Sequence, residues 1–244
     1  MNLFLILTRS SNAYTYLLSS YLRKNRVETV QVVDSLNAGL SDGYCVGFPD
    51  KELIDKNFIF LDPTNKSPNA WDKLIYYIKD LQQYDYFYIM EDDVYCSDFS
   101  VFLDVVKEMN FRNEDLISGK IILRGKRPLW YHWYALDILS VKYKIKYNTH
   151  VSSFNPFCRI SRKLLNKIVQ FYKENRYFYF HEVMFPTICF NSGMSFLDYS
   201  RDKRLNNFFG YFHHKELNKP IFDSNKIVHP VKFHLGKIIK LNIK

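Results

Sequence analysis

Glycine and proline are scarce in this sequence, with 8 of each among 244 residues. A chain built from flexible linkers or low-complexity tracts would carry far more of both. Hydrophobic residues make up 47% of the chain and aromatic residues 18%, which is enough to fill a substantial core. The composition therefore indicates a folded protein, and the length fits one large domain or two small ones.

Long apolar runs are also missing, since none approaches the roughly 20 residues that a membrane-spanning helix needs. The short run at 2–7 lacks a basic segment before it and a small-residue cleavage site after it, so we interpret it as a first strand and not as a signal peptide. The cysteines are widely spaced and form no CxxC pair; they are Cys45, Cys96, Cys158 and Cys189. Such spacing is typical of reduced thiols, and we expect a cytoplasmic protein.

Acidic residues are outnumbered, with 25 Asp and Glu against 34 Lys and Arg and a formal net charge of +9. A basic surface attracts nucleic acid, anionic lipid headgroups and nucleotide diphosphates alike. The basic residues are spread along the chain, with mild clusters at 124–127 and 237–244. This spread favours general solubility over a dedicated binding surface.

The basic C-terminal segment at 234–244 also has an apolar side that would suit peripheral contact with an anionic membrane. Its apolar residues are Leu235, Ile238, Ile239 and Leu241.

The first half of the sequence alternates between strand-like and helix-like patterns. Strands are predicted over 2–7, 29–34, 57–62, 84–90 and 115–123, and helices over 11–25, 67–83 and 100–110. Ser67 is predicted to cap the second of these helices, with Pro68 as its first residue. This alternation predicts an α/β fold in which helices flank a mostly parallel central sheet.

The second half is less regular. A helix is predicted over 161–175, and 177–193 fits a strand followed by a short helix broken near Pro186. No clear periodicity is present over 198–230, so we expect loops there, some of them covering an active site. The stretch 152–165 is a candidate floor for that site.

The most unusual feature is Glu91-Asp92-Asp93, three consecutive acids that follow the apolar run "YFYIM". Adjacent carboxylates repel one another and resist desolvation, so a strand end that carries them favours a nearby cation. Asp34 and Asp62 end two other predicted strands, and ligands of parallel sheets bind beyond such ends. Because Mn²⁺ and Mg²⁺ prefer oxygen ligands, the acids predict a site for one of these ions, with Asp93 in direct contact. The alternative is a polar turn that caps the next helix.

The segment "YIMEDDV", together with Asp34 upstream, resembles GT-A-fold glycosyltransferases, which use nucleotide-sugar donors and usually a Mn²⁺ or Mg²⁺ ion bound at a DxD motif. The resemblance implies a single GT-A-like domain, with a nucleotide-sugar-binding half at 1–123 and an acceptor-binding half at 124–244. The acidic motif departs from the pattern because its first acid is Glu91.

Two further motifs carry the resemblance. In "FHEVMFP", Glu182 matches an acid on the acceptor side that acts as general base, although His181 replaces the usual first acid of the pair. In "IVHPVK", His229 matches a C-terminal histidine that completes the metal site. His213 and His214 are competing candidates for that histidine.

The donor-binding residues that the sequence and the resemblance together suggest lie at strand ends and on the helix at 67–83. They are Thr8, Arg9, Asp34, Lys73, Glu91 and Asp92. For Asp34 the alternative is a turn residue, and for Arg9 and Lys73 it is a solvated surface position. Glu91 is assigned to the ribose or sugar, or to the metal through water.

The aromatic segment "LWYHWYAL" follows a basic stretch and is not helically periodic. Exposed aromatic rings stack on sugars, which makes Trp130 and Trp133 candidates for acceptor binding, with Asn155 as a polar contact. Core packing is the alternative.

Together these patterns predict a metal-dependent glycosyltransferase that moves a sugar from a UDP- or GDP-linked donor to a hydroxyl of a glycan or glycolipid. A nucleotidyltransferase or other phosphotransferase would use similar acids, but it usually has a glycine-rich phosphate loop after the first strand, and "TRSSNAY" contains no glycine. A metal-dependent nuclease is a further alternative, although no zinc-finger or RNP motif is present and no nucleic-acid partner is expected. A carbohydrate-binding module would have no need of the strand-end acids.

Overall fold

The structure, a computed structural model, describes residues 1–9, 12–34, 44–56, 58, 60–61, 67–125, 133, 136–138, 147, 149–212 and 225–231. Its strands are β1 Asn2–Thr8, β2 Thr29–Val33, β3 Cys45–Gly47, β4 Phe60–Leu61, β5 Tyr86–Glu91, β6 Leu116–Leu123, β7 Val151–Ser161, β8 Phe178–Tyr179, β9 Phe196–Asp198, β10 Phe209–Phe212 and β11 Ile227–His229. Its helices are α1 Ala13–Lys24, α2 Asp50–Asp55, α3 Ala70–Ile78, α4 Ser100–Asn110, α5 Arg162–Asn175 and α6 His181–Asn191, with a 3₁₀ helix at Leu205–Phe208.

Seven strands form the central sheet in the order β3-β2-β1-β5-β7-β6-β9. Strands β3, β2, β1 and β5 run parallel, as do β6 and β9, whereas β7 is antiparallel to both of its neighbours. Two small parallel pairs, β10 with β11 and β4 with β8, lie outside this sheet. The predicted α/β fold with a mostly parallel sheet flanked by helices is confirmed.

Strand β1 shows why its sequence is continuously apolar. Leu3, Leu5 and Leu7 face a core built with α3, α5 and α6, while Phe4 and Ile6 face a second core built with α1 and α4. Side chains of a strand alternate between the two faces of the sheet, so a strand covered by helices on both sides needs apolar residues at every position.

Within the described residues, no helix combines the length and apolar character needed to cross a bilayer.

The start of α3 differs from the prediction. Asn69, and not Ser67, is the N-cap, because the Asn69 side chain accepts the backbone N–H groups of Trp71 and Asp72, and the Asp72 carboxylate accepts the N–H of Asn69. Such a reciprocal capping box needs a side chain three residues after the cap that accepts the N–H of the cap residue, and Ala70, three residues after Ser67, cannot do so. Pro68 therefore precedes the helix, which ends at Ile78 and does not reach residue 83.

The second half is more regular than predicted. Helix α6 continues through Pro186, since the residues on every side of it are buried and packing holds the helix together. The stretch 152–165 is largely β7, a fully buried strand. Strands β10 and β11 lie within 198–230, where loops were expected, because strands of three or four residues are too short to show a period. The strand predicted at 57–62 is described only as β4, which pairs with β8 outside the central sheet.

Arg159, in β7, is fully buried. Its guanidinium donates to the backbone carbonyl of Met109, in the last turn of α4. It also donates to the carbonyls of Arg112 at 3.0 Å and Glu114 at 2.9 Å, which follow that helix. Arg159→Met removes these donors and leaves buried carbonyls unpaired, so we expect a loss of about 3 kcal/mol in the free energy of unfolding. Urea denaturation measures it. The exposed Arg201→Met is the control, and equal stability of the two variants would contradict this role.

Candidate metal centre

The carboxyl ends of β1, β2 and β5 lie side by side at one edge of the sheet. Thr8 ends β1, Asp34 follows β2, and Glu91 ends β5. The Thr8 hydroxyl donates to Asp92 Oδ2 at 2.7 Å, which joins β1 to the acidic turn after β5. Thr8, Asp34 and Asp92, which were predicted to bind the donor, therefore lie with Glu91 at the edge where parallel sheets bind ligands.

Strand β11 brings a histidine to this edge from the far end of the chain. Tyr95 and Val228 exchange two backbone hydrogen bonds of 2.9 and 2.8 Å, and the N–H of Val231 donates to the carbonyl of Asp93 at 2.8 Å. This ladder holds His229 against the acids, with Nε2 at 3.1 Å from Asp93 Oδ1 and 3.8 Å from Glu91 Oε2.

These three residues can offer a common ion one ligand atom each. The three ligand atoms lie within 4.8 Å of one another, whereas ligands about 2.1 Å from a Mg²⁺- or Mn²⁺-sized ion stand about 3 to 4 Å apart. The distances from His229 Nε2 to Asp93 Oδ1, 3.1 Å, and to Glu91 Oε2, 3.8 Å, fall in that range. The His229 side chain is 8% exposed, and its ring packs edge-on against Phe154 at 5.3 Å between centroids.

The electrostatics of the cluster favour a cation. Burial raises the pKa of Glu91, the negative charge of Asp93 raises it further, and the hydrogen bond from Trp71 and the proximity of His229 only partly oppose this. A carboxylate whose ionised form is disfavoured in this way gains from a nearby positive charge. Glu91, Asp93 and His229 thus fit the predicted divalent ion in both ligand chemistry and spacing.

Trp71 links the cluster to the start of α6. Its indole N–H donates to Glu91 Oε1 at 2.9 Å, and its ring stacks on that of His181, with 3.8 Å between centroids and 14° between planes. No local pattern in the sequence signals the contact of Trp71 with Glu91.

Glu182 lies in the first turn of α6, next to His181, and is 7% exposed. It accepts the backbone N–H of Asn155 at 2.9 Å. Burial raises the pKa of the Cys158 thiol, and the charges of Glu91 and Glu182 raise it further, so both carboxylates act on the same buried group. The predicted base and the acidic cluster therefore share one neighbourhood.

Asn155 lies beneath Glu182. The hydroxyls of Ser118 and Ser153 both contact its Oδ1, the latter at 2.7 Å. Its Nδ2 is buried and has no hydrogen-bond partner among the described residues. The side chain is fully buried, so the contact that the structure shows is with Glu182, and contact with an acceptor stays a prediction.

Lys73 lies behind Asp34. Its side chain is 1% exposed, and its ammonium contacts Asp34 Oδ1 at 3.0 Å, Asp50 Oδ1 at 2.6 Å and the Asp34 carbonyl. Burial lowers the pKa of Lys73, but hydrogen bonds with Asp50 and Asp34 outweigh it and the net pKa is raised. Lys73 is therefore a protonated group that orients Asp34, and its predicted direct contact with a donor remains a prediction.

The remaining predicted residues are less informative. Arg9 is exposed just after β1. Trp133 is buried, with the Arg124 guanidinium 5.7 Å from its ring centroid, which fits the packing alternative. Several candidates lie outside the described residues: Asp62, Trp130, His213, His214 and the C-terminal segment at 237–244.

Comparisons with known proteins add little. No protein-family model matches the chain, and no curated protein matches it. One solved structure with a match is A197 from STIV, at 16% sequence identity over 68% of this chain and 68% of that chain, with a TM-score of 0.30. A likeness of this size supports no conclusion about fold family or activity.

Proposed function

We propose that the protein is a metal-dependent glycosyltransferase with a GT-A-like fold. It would move a sugar from a nucleotide-diphosphate donor, UDP- or GDP-linked, to a hydroxyl of a glycan or glycolipid. The observation that carries the proposal is the Glu91–Asp93–His229 cluster at the carboxyl edge of the parallel strands, with the buried carboxylate of Glu182 nearby.

The donor side rests on the three cluster residues. Glu91, Asp93 and His229 would hold the cation, and their mixture of carboxylates and imidazole suits Mn²⁺ better than Mg²⁺, which prefers an all-oxygen shell. The bound ion would neutralise the charge that develops on the departing nucleoside diphosphate. Asp34, oriented by Lys73, lies on the same edge and would accept a hydrogen bond from the nucleoside.

The acceptor side rests on Glu182. Its carboxylate lies at the N-terminus of α6, where the helix dipole favours a negative charge. One oxygen accepts the backbone N–H of Asn155, and the carboxylate would take the proton of an acceptor hydroxyl. The acceptor oxygen then bonds to the anomeric carbon as the bond between sugar and phosphate breaks.

Nucleotide binding gives the direct test. We expect UDP or GDP, with Mn²⁺, to raise the melting temperature by roughly 5 to 10 °C at a hundredfold excess over its Kd. EDTA should abolish the shift. A thermal-shift panel of UDP, GDP and CMP, each with Mn²⁺ and with EDTA, measures this.

The same panel separates the rival functions. No shift with any nucleotide, together with salt-sensitive binding to DNA or RNA, would exclude the glycosyltransferase proposal in favour of a nuclease. Release of pyrophosphate from a nucleoside triphosphate would instead favour a nucleotidyltransferase.

A further inference from the structure

Glu91 differs from the other two residues of the cluster in how it is held. Backbone hydrogen bonds through Val231 and Tyr95 fix Asp93 and His229 relative to each other. Glu91 has a longer side chain that is 31% exposed, so its carboxylate would be free to rotate unless another group held it. Loss of that freedom on metal binding would cost conformational entropy.

Trp71 supplies that restraint. With its N–H on Oε1 at 2.9 Å, the indole leaves Oε2 as the oxygen that faces His229 Nε2. The indole is in turn held in one plane by its stack on His181 and by Phe185, whose ring meets it edge-on at 5.8 Å between centroids. Trp71 is buried, so few water molecules compete with Glu91 for its N–H.

We propose that Trp71 is a positioning residue of the metal centre, which holds Glu91 with Oε2 turned toward the cation. This inference rests on the proposed binding of a divalent ion by the cluster, and it does not depend on which sugar or acceptor is used. Removal of a residue that orients a metal ligand through a hydrogen bond lowers metal affinity by about 10- to 100-fold.

The test measures Mn²⁺ affinity by electron paramagnetic resonance of the free ion. Trp71→Phe keeps an aromatic ring against His181 and removes the N–H donor together with the five-membered ring that carries it, so we expect the Kd for Mn²⁺ to rise about 10-fold with the fold retained. Tyr88→Phe is the matched control: it also removes one buried donor, the hydroxyl that contacts Asn110 at 2.7 Å, from the core beside the same sheet. Its Mn²⁺ affinity should equal that of the wild type.

A double-mutant cycle shows whether Trp71 acts through Glu91. If it does, Trp71→Phe should weaken Mn²⁺ binding in the wild type and cause no further loss in a Glu91→Ala background. Equal losses in both backgrounds would overturn the inference and indicate general damage to the fold. Tight Mn²⁺ binding by Trp71→Phe would also overturn it while leaving the metal centre intact, whereas absence of Mn²⁺ binding by the wild type would exclude the proposed centre itself.

Discussion

Asp93→Ala is expected to lower the rate of the proposed sugar transfer at least about 1,000-fold, which corresponds to roughly 4 kcal/mol of lost transition-state stabilisation. Asp93 Oδ1 is the carboxylate oxygen closest to His229 Nε2, at 3.1 Å, so its removal would take away the central ligand. The remaining pair, Glu91 and His229, is 3.8 Å apart at its nearest atoms and would bind an ion weakly.

The fold should survive this change. The link between Asp93 and β11 runs through its backbone carbonyl, which accepts the N–H of Val231, and alanine keeps that carbonyl. Transfer rates with UDP- and GDP-sugars in Mn²⁺, together with the melting temperature, measure the effect. Asp80→Ala, which removes an acid that is 78% exposed, is the control. Undiminished Mn²⁺-dependent transfer by Asp93→Ala would show that the cluster is not the metal site.

Glu182→Gln is expected to lower kcat by about 100- to 10,000-fold, the usual range for loss of a general base. Glutamine has the same shape, and its side-chain carbonyl can still accept the N–H of Asn155. It cannot take a proton from a hydroxyl at neutral pH. Binding of Mn²⁺ and of the nucleotide should therefore be unchanged.

Separate measurement of kcat and KM for the acceptor decides what Glu182 does. A fall in kcat with an unchanged KM identifies a base, whereas a rise in KM alone would show that Glu182 only binds the acceptor. Glu174→Gln, in the last turn of α5 on the surface, is the isosteric control and should leave both constants unchanged.

Much of the fold could be predicted because its signals are local. The continuous apolar run of β1 reflects helices on both faces of the sheet, and the spacing of Leu164, Leu165 and Ile168 predicts the buried face of α5. The continuity of α6 through Pro186 could not be predicted in this way, since it depends on neighbours that pack around the helix from distant parts of the chain. Short strands such as β9 and β11 carry too few residues to show a period.

In the candidate site, too, the local features could be predicted from the sequence and the long-range contacts could not. Three acids after an apolar run are visible in the sequence, and the structure places His229, chosen by resemblance, 3.1 Å from Asp93. The contact of Trp71 with Glu91, and the support of Glu182 by Asn155, arise only when α3 and β7 meet the end of β5. Such contacts join residues far apart in the chain, and no spacing rule encodes them.

The ladder between Tyr95 and Val228 has a consequence for how the protein folds. Its two sides are separated by most of the described chain, so the loop it closes is long and its formation carries a large entropic cost. An unfolded chain would hold Glu91 and Asp93 near each other but keep His229 far away. A cation held by all three would therefore bind the folded chain in preference to the unfolded one, and its binding would add to the free energy of unfolding.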